Sequence, residues 1–397
     1  MKKLLLASAV GALAAGGAFA ESHGNSINIG VLLGFTGPIE SLTPHMADGA
    51  ELAMAEVTAS GALLGGMSVN PVRADSGCID NALVQASAER LITSDGVVAI
   101  VGADCSGVTR AALENVAMAN GIPMISPSAT SPAFTQFDSG GLFFRTAPSD
   151  ARQSQVQADI LAERGITSVA VTHTNNDYGL GLANAFVEAF TAQGGTVTAV
   201  VPHEEAKGDY SAEVGALAAA GGEALMVFGY VDGGGSVIRT AYDLGAFDQF
   251  FIADGMYGDE LLEKVGDALE GTVGTVPWAV GEAADRFTAV YEAAGINGAS
   301  SFVAESYDAA ALLMLAAQAA GEATPAGIAA NVLNVANAPG EPIYAGELAR
   351  GLEILAAGGD IDYVGATNVE LINFGEAAGT YREYVVQNGE YVTVQFH

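Results

Sequence analysis

A stretch rich in small hydroxyl side chains, ISPSATSPAFT at positions 125–135, has residue types that could bind a ligand. It contains five Ser or Thr residues and two prolines, and it follows the apolar segment GIPMI, which is typical of a buried strand. Ser, Thr and Pro also build ordinary turns, because hydroxyl oxygens bond to loop backbone and Pro restricts φ. The stretch therefore predicts either a turn or a set of donors that binds a small anion without Lys or Arg.

A second strand end of the same kind supports the binding interpretation. The segment ADCSGVT at 103–109 follows the predicted strand VVAIVG, and Ser106 begins the next predicted helix. In parallel α/β sheets the ligand crevice lies beyond the carboxyl ends of the strands, where helix N-termini favour anions. Ser106, Ser126, Ser128 and Thr130 are thus expected to face one crevice that suits a carboxylate. For each single serine, helix capping alone is the alternative.

The elements that must position these residues follow from the hydrophobic pattern. Apolar runs of strand length, such as INIGVLLGF at 27–35, alternate with segments of helical periodicity, such as MADGAELAMAEVTAS at 46–60. This alternation predicts parallel sheets covered by helices, and it restarts after residue 150. Three later helical segments, which begin at 284, 306 and 346, are expected to complete the outer layer of the first lobe. The tail YREYVVQNGEYVTVQF predicts a hairpin with an Asn-Gly turn.

The N-terminus and the composition indicate an exported, acidic protein. MKKLLLASAVGALAAGGAFA has two lysines, an apolar run and an AFA ending, which predicts a signal peptide at 1–20; an uncleaved membrane anchor is the alternative. The 397 residues suffice for two domains, and half of them are hydrophobic. The formal net charge of −32 argues against nucleic acid as a partner. Two cysteines in an exported chain suggest a disulfide, with two unpaired buried thiols as the alternative.

Six segments in order carry a resemblance to a known family. They are DSGC, VGADCSGVT, GIPMISPSATSPAFT, VTHTNNDYGLG, VFGYVDGG and FIADGM, and together they resemble the periplasmic leucine/isoleucine/valine-binding proteins. The resemblance implies a type I periplasmic binding protein: a monomer of α/β class with two Rossmann-like lobes, parallel sheets and a three-strand hinge. It implies a first lobe over 27–147 plus about 279–365 and a second lobe over 148–278 plus about 366–397.

The same resemblance implies a function and a set of site residues. The protein would bind an amino acid in the periplasm, close its lobes on it and deliver it to the permease of an ABC transporter, without a cofactor. Cys78 and Cys105 match the family's disulfide, and Ser106 matches a serine that binds the ligand carboxylate. The remaining matches are Ser128, Ala129 and Thr130 for the α-amino and α-carboxylate groups, Tyr178 and Tyr230 for closure, and Asp254 for the ammonium group.

Two departures from the family pattern concern the ligand's side chain. Asp104 stands where branched-chain binders carry an apolar residue that touches the ligand, and the family's tyrosine is missing around LTPHM at 42–46. A polar or basic amino acid therefore stays open beside a branched aliphatic one. For Asp104 the alternative is a solvated position at the rim or in a turn.

Other functional classes have weaker support in the sequence. DYGLGLAN has Asn184 where a dinucleotide fingerprint needs its third glycine, and GGGSVI lacks a glycine of the nucleophile elbow. The five histidines show no spacing typical of metal ligands. An exported hydrolase, a sensory ectodomain, and the same fold binding an amide or a small carboxylate remain as alternatives to the amino-acid binder.

Overall fold

A computed structural model of the protein describes residues 26–397, so the predicted signal peptide lies outside the described residues. Within residues 26–397 no helix is both long and apolar enough to cross a lipid bilayer. The strands are β1 (Ser26–Leu33), β2 (Ser68–Asp75), β3 (Ala99–Gly102), β4 (Met124–Ser126), β5 (Phe143–Pro148), β6 (Ser168–Thr174), β7 (Thr196–His203), β8 (Ala224–Phe228), β9 (Phe250–Ile252), β10 (Val273–Pro277), β11 (Glu341–Tyr344), β12 (Ile361–Gly365), β13 (Leu371–Ile372), β14 (Glu376–Ala377), β15 (Tyr381–Gln387) and β16 (Glu390–Phe396).

Helices cover both faces of the sheets that these strands form. They are α1 (Thr43–Ser60), α2 (Asn81–Thr93), α3 (Ser106–Ala112), α4 (Met118–Asn120), α5 (Asp150–Glu163), α6 (Asp177–Ala192), α7 (Ser211–Ala220), α8 (Val231–Asp243), α9 (Asp259–Val265), α10 (Glu282–Ala294), α11 (Val303–Ala320), α12 (Pro325–Ala336) and α13 (Leu348–Ala356). A wide π-type segment, Leu113–Ala117, joins α3 to α4. Short 3₁₀ turns occur at Leu63–Gly65, Pro132–Gln136, Asp254–Met256 and Gly266–Leu269.

The first sheet has the strand order β13-β14-β5-β4-β3-β1-β2. Its strands run parallel except for the antiparallel pair β13–β14. The central strands β3 and β4 are buried along their whole length, as expected where helices cover both faces. In β1, for example, Val31, Leu32 and Leu33 are fully buried.

The second sheet has the strand order β16-β15-β10-β9-β8-β6-β7. Its parallel part contains β6 to β10, and the antiparallel hairpin β15–β16 extends it at one edge. Asn388 and Gly389 connect the hairpin with φ values of 52° and 74°, the left-handed conformation that favours Asn-Gly in a two-residue turn. The predicted hairpin is confirmed.

Three chain segments connect the two sheets. The first lies between β5 and α5, the second between β10 and α10, and the third between β14 and β15. Strands β13 and β14 pair with the first sheet through β5. The chain therefore changes sheet for the last time after Ala377, whereas the sequence analysis placed this change at about 366.

Helix α11 differs most from its predicted position in an outer layer. It packs directly against the first sheet and α1, while α12 and α13 cover it from outside. Most of its residues, from Val303 to Gln318, are buried. Because the segment AALLMLAA is apolar around the whole helix, it is stable only when surrounded. The sequence analysis also missed α12 and the small parallel sheet β11–β12.

Candidate functional site

The site is built around the start of α3, where β3 ends. Cys105 precedes the helix and forms a disulfide with Cys78 in the loop after β2, with the two Cα atoms 5.1 Å apart. The predicted pairing is confirmed. The bridge attaches the loop after β2 to the start of α3, and so it restricts how Ser106 is presented to the cleft.

Asp104, directly before this disulfide, is completely buried. The backbone N–H of Gly34 donates to its Oδ2 over 2.7 Å, and the Ser76 hydroxyl donates to its Oδ1 over 2.6 Å. These bonds join the ends of β1, β2 and β3. Burial raises the pKa of Asp104 above its ordinary value. The solvated position considered for Asp104 from sequence is therefore wrong.

The hydroxyl-rich stretch forms a tightly bonded loop at the end of β4. Ser126 donates to the carbonyl of Ala103 over 2.5 Å and accepts from the backbone N–H of Ala129 over 2.9 Å. Its hydroxyl is thus used inside the loop. Ser128 donates to the carbonyl of Asp104 over 3.2 Å, and Ser106 accepts from the N–H of Ser131 over 3.1 Å. These bonds hold the strand ends of β3 and β4 together.

A buried cation supports this loop from behind. The Arg145 guanidinium of β5 donates to the carbonyls of Ala129 and Ser131 over 3.0 and 2.9 Å, and it forms an ion pair with Glu376 of β14. Arg145 is 1% exposed. Its charge is therefore compensated within the first lobe.

The second lobe contributes two tyrosines and an acid. Tyr178 in the first turn of α6 and Tyr230 before α8 stack with ring centroids 5.3 Å apart. Tyr178 donates a 2.9 Å hydrogen bond to Asp254, which lies in the 3₁₀ turn after β9. A Cβ on Gly255 would lie 2.9 Å from the Tyr178 hydroxyl, so the close approach requires glycine. Burial raises the pKa of Asp254 to about 6.

These residues meet in a cavity between the lobes. Six of the nine residues predicted to face or bind the ligand line it: Asp104, Ser106, Ser128, Tyr178, Tyr230 and Asp254. Ser126, Ala129 and Thr130 do not line it and are buried in the loop. The lining contains two carboxylates and no basic side chain.

An apolar wall completes the cavity, and the sequence analysis did not identify it. It consists of Ile39, Leu42, Met46 and Phe302. Phe302 has a φ of 62°, a left-handed conformation that is rare and strained for an aromatic residue and that occurs mostly at functional positions. No periodic pattern marks these residues in the sequence, because they come from a loop, the start of α1 and the residue before α11.

Comparison with known proteins identifies the family to which this fold and site belong. Residues 26–347 match the family model described as periplasmic binding protein, and the chain belongs to that family. A Leu/Ile/Val-binding protein homolog 1 of Brucella melitensis is 30% identical over 334 residues, covering 83% of this chain and 87% of that protein. The family resemblance predicted from sequence is confirmed.

Solved structures agree with this assignment. A leucine-binding protein LivK from Thermotoga maritima has a TM-score of 0.77 and 25% identity, covering 93% of this chain and 98% of that one. The branched-chain amino acid binding protein LivJ from Streptococcus pneumoniae, in complex with isoleucine, has a TM-score of 0.75 and 22% identity, covering 93% and 100%. The predicted fold of two α/β lobes is confirmed.

Proposed function

We propose that this protein binds an amino acid between its lobes and delivers it to the permease of an ABC importer. The observation that carries the proposal is the position of Asp254 in the same cavity as the hydroxyls of Ser106 and Ser128. An acid on one lobe and neutral donors on the other are complementary to a zwitterion, whose ammonium and carboxylate groups need opposite partners.

The polar groups divide between the two ends of the ligand. Ser106 donates to the carboxylate, because its hydroxyl accepts from the N–H of Ser131 and keeps its own proton for the ligand, and no basic side chain lines the cavity. The Ser128 hydroxyl donates to the carbonyl of Asp104 and so fixes the loop at this side of the cavity. Asp254 receives the ammonium group, and the Tyr178 hydroxyl keeps the acid oriented. Ala129 and Thr130 contribute by shaping the loop that presents Ser128.

The apolar wall selects the ligand's side chain. Ile39, Leu42, Met46 and Phe302 offer aliphatic and aromatic contacts to a side chain of the branched-chain type or a related one. Asp104 adjoins this space, but each of its oxygens already accepts a hydrogen bond from the first lobe. Two relatives are named a Leu/Ile/Val-binding protein homolog and a leucine-binding protein, and these names support the same class of ligand.

Cleft closure is the mechanism of delivery. The cavity takes residues from both lobes, and three chain segments join the lobes, so ligand shifts the population from open to closed forms. The protein acts as a monomer in the periplasm after removal of residues 1–20. It releases its ligand chemically unchanged, as a solute-binding protein and not as an enzyme.

A thermal-shift screen of the twenty amino acids, their amides and small carboxylates tests the proposal, with isothermal calorimetry on each hit. We expect the largest stabilisation from leucine, isoleucine or valine, since specific binding to the folded state raises the melting temperature. Stabilisation by amides or simple carboxylates without any by amino acids would favour the alternative ligands. Turnover of a chromogenic ester or amide would favour a hydrolase.

A further inference from the structure

Behind the cavity lies a second acid, Asp150, that the proposed ligand contacts do not use. It is the first residue of α5, directly after the first segment that joins the lobes, and it is fully buried. Neither carboxylate oxygen has a hydrogen-bond partner among the described residues. Its backbone N–H donates to the carbonyl of Thr130 over 2.9 Å, which fixes it beside the hydroxyl-rich loop. A buried carboxylate without donors is costly and requires an explanation.

Asp150 and Asp254 share one buried region. The charges of both acids act on Tyr178 of the second lobe and on Tyr381 at the start of β15, and they raise the pKa of each phenol in addition to the effect of burial. Burial and the neighbouring Asp254 carboxylate likewise raise the pKa of Asp150 well above its ordinary value. Hydrogen bonds place α5 against β9, the strand that Asp254 follows, and against the neighbouring β10: Gln153 donates to the carbonyl of Thr275 over 3.1 Å, and Gln157 donates to the carbonyl of Ile252 over 3.4 Å. The two acids therefore lie in one region and disfavour each other's ionisation.

The cation that acts on Asp150 does not neutralise the pair. Arg145 of β5 lowers the pKa of Asp150 only as a minor effect, and its guanidinium is bonded to Glu376 and to two backbone carbonyls. The Thr130 hydroxyl lies next to the Asp150 carboxyl, yet neither group completes a hydrogen bond. The buried region beside the cavity thus contains the carboxyl groups of Asp150 and Asp254 and one cation, Arg145, that is already paired with Glu376.

We propose that Asp150 and Asp254 together hold one proton in the empty cleft, and that the ligand's ammonium group expels this proton to the solvent. This inference rests on the proposed function, because it requires an ammonium group at Asp254. The positive charge of the ligand replaces the proton as the compensating charge, so both carboxyls ionise in the complex. Asp150 is a positioning residue that acts on the ligand through Asp254.

Proton release sets the sign of the pH dependence. The empty protein binds more protons than the complex, so affinity rises with pH by up to about tenfold per unit while the pair still holds its proton. Above that range the affinity becomes constant. The phenols that face the pair, Tyr178, Tyr230, Tyr381 and Tyr384, keep their protons throughout, since burial raises the pKa of each well above its ordinary value. Asp104, the other acid that lines the cavity, accepts hydrogen bonds from Gly34 and Ser76 of the first lobe with or without ligand.

Isothermal calorimetry with L-leucine in buffers of different ionisation heat tests the proposal. Between about pH 6 and about pH 8, above the pKa of about 6 of Asp254 and with the pKa of Asp150 held above its ordinary value by burial, we expect the parent to release up to about one proton per leucine. Asp150→Asn should release almost none and should lose the dependence of affinity on pH. The exposed Asp248→Asn serves as a matched control and should behave as the parent.

A ligand analogue separates the ammonium group from the rest of leucine. 4-Methylpentanoate has the same carbon skeleton without the amino group, and we expect it to bind weakly and to release no proton. The proposal is overturned if leucine binds the parent without proton release, if Asp150→Asn releases as much as the parent, or if the analogue releases as much as leucine. The first and third outcomes need only the parent protein, so they decide even if the variant fails to fold. Absence of binding by any amino acid would instead overturn the proposed function.

Discussion

The phenol oxygen of Tyr178 lies 2.9 Å from Oδ1 of Asp254 and donates a hydrogen bond to it, within the second lobe alone. The same oxygen accepts from the backbone N–H of Gly255 over 3.2 Å. Tyr178 is thus held by two neighbouring residues of the turn that carries the acid. The half of the site that we propose to meet the ammonium group is therefore pre-organised before the lobes close, which reduces the cost of ordering it on binding.

We expect Asp254→Asn to weaken amino-acid binding by roughly 30-fold or more. Loss of one partner of a desolvated charge pair costs about 2 to 5 kcal/mol. Tyr178→Phe should have a smaller effect, about 1.5 to 3 kcal/mol, because it removes one hydrogen bond to a charged group but leaves the charge. Calorimetric titration of both variants checks the order of the effects. Equal affinity of Asp254→Asn and the parent would contradict the amino-acid assignment and leave the two-lobe binding protein intact.

Ser106→Ala should weaken binding by roughly 1 to 3 kcal/mol, the value of a lost bond to a charged group. Part of the effect comes from the loop, because Ser106 also accepts a 3.1 Å hydrogen bond from the N–H of Ser131. Ser128→Ala is a suitable comparison, since its hydroxyl donates to a carbonyl and supports no loop amide. Equal affinity of Ser106→Ala and the parent would contradict the assignment of Ser106 to the ligand carboxylate.

Ligand should reduce the radius of gyration measured by small-angle X-ray scattering. Ser106 belongs to the first lobe and Tyr230 to the second, and one small molecule touches both only when the cleft is closed. Asp254→Asn at the same ligand concentration provides a control with little bound ligand. An unchanged radius at saturation of the parent would contradict the hinge mechanism.

Glu305→Gln should stabilise the protein increasingly as pH rises. Glu305 in α11 is 6% exposed, and burial raises its pKa to about 8 from an ordinary value of 4.5. Between these values the unfolded chain ionises while the folded one does not, so folding loses stability as pH rises, and the neutral amide avoids this loss. The gain should grow from near zero at about pH 4.5 to roughly 3 kcal/mol at about pH 7, measured by urea unfolding.

Asp308, one turn further along α11, provides a comparison, since burial raises its pKa less, to about 6, and its carboxylate is hydrogen-bonded. Its carboxylate accepts hydrogen bonds from Tyr363, Ala366 and Thr367 over 2.7 to 2.9 Å. Asp308→Asn leaves some of these donors without an acceptor, so we expect it to lose stability at both pH values. If Glu305→Gln changed the free energy of unfolding equally at both pH values, the raised pKa of the buried Glu305 would not explain the change in stability.

Local patterns in the sequence account for the elements and for part of the site. Alternating strand and helix periods specify α/β lobes, and Asn388-Gly389 specifies the hairpin, because these signals depend on neighbouring residues only. The rule that parallel strand ends meet at one edge was enough to bring Ser106 and Ser128 together. Tyr178, Tyr230 and Asp254, by contrast, were assigned through the family resemblance.

Tertiary packing alone decided the rest. Helix α11 is buried because α1, α12 and α13 surround it, and β14 joins the first sheet through a long-range pairing with β5. Neither contact leaves a short-range pattern in the sequence. The sequence by itself predicted the hydroxyl side of a site that could bind a zwitterion, and the family resemblance added the acid Asp254. Only the three-dimensional structure decided that Asp104 is enclosed by Gly34 and Ser76, and that Asp150 shares a buried region with Asp254, because burial and proximity between distant segments arise when the lobes pack.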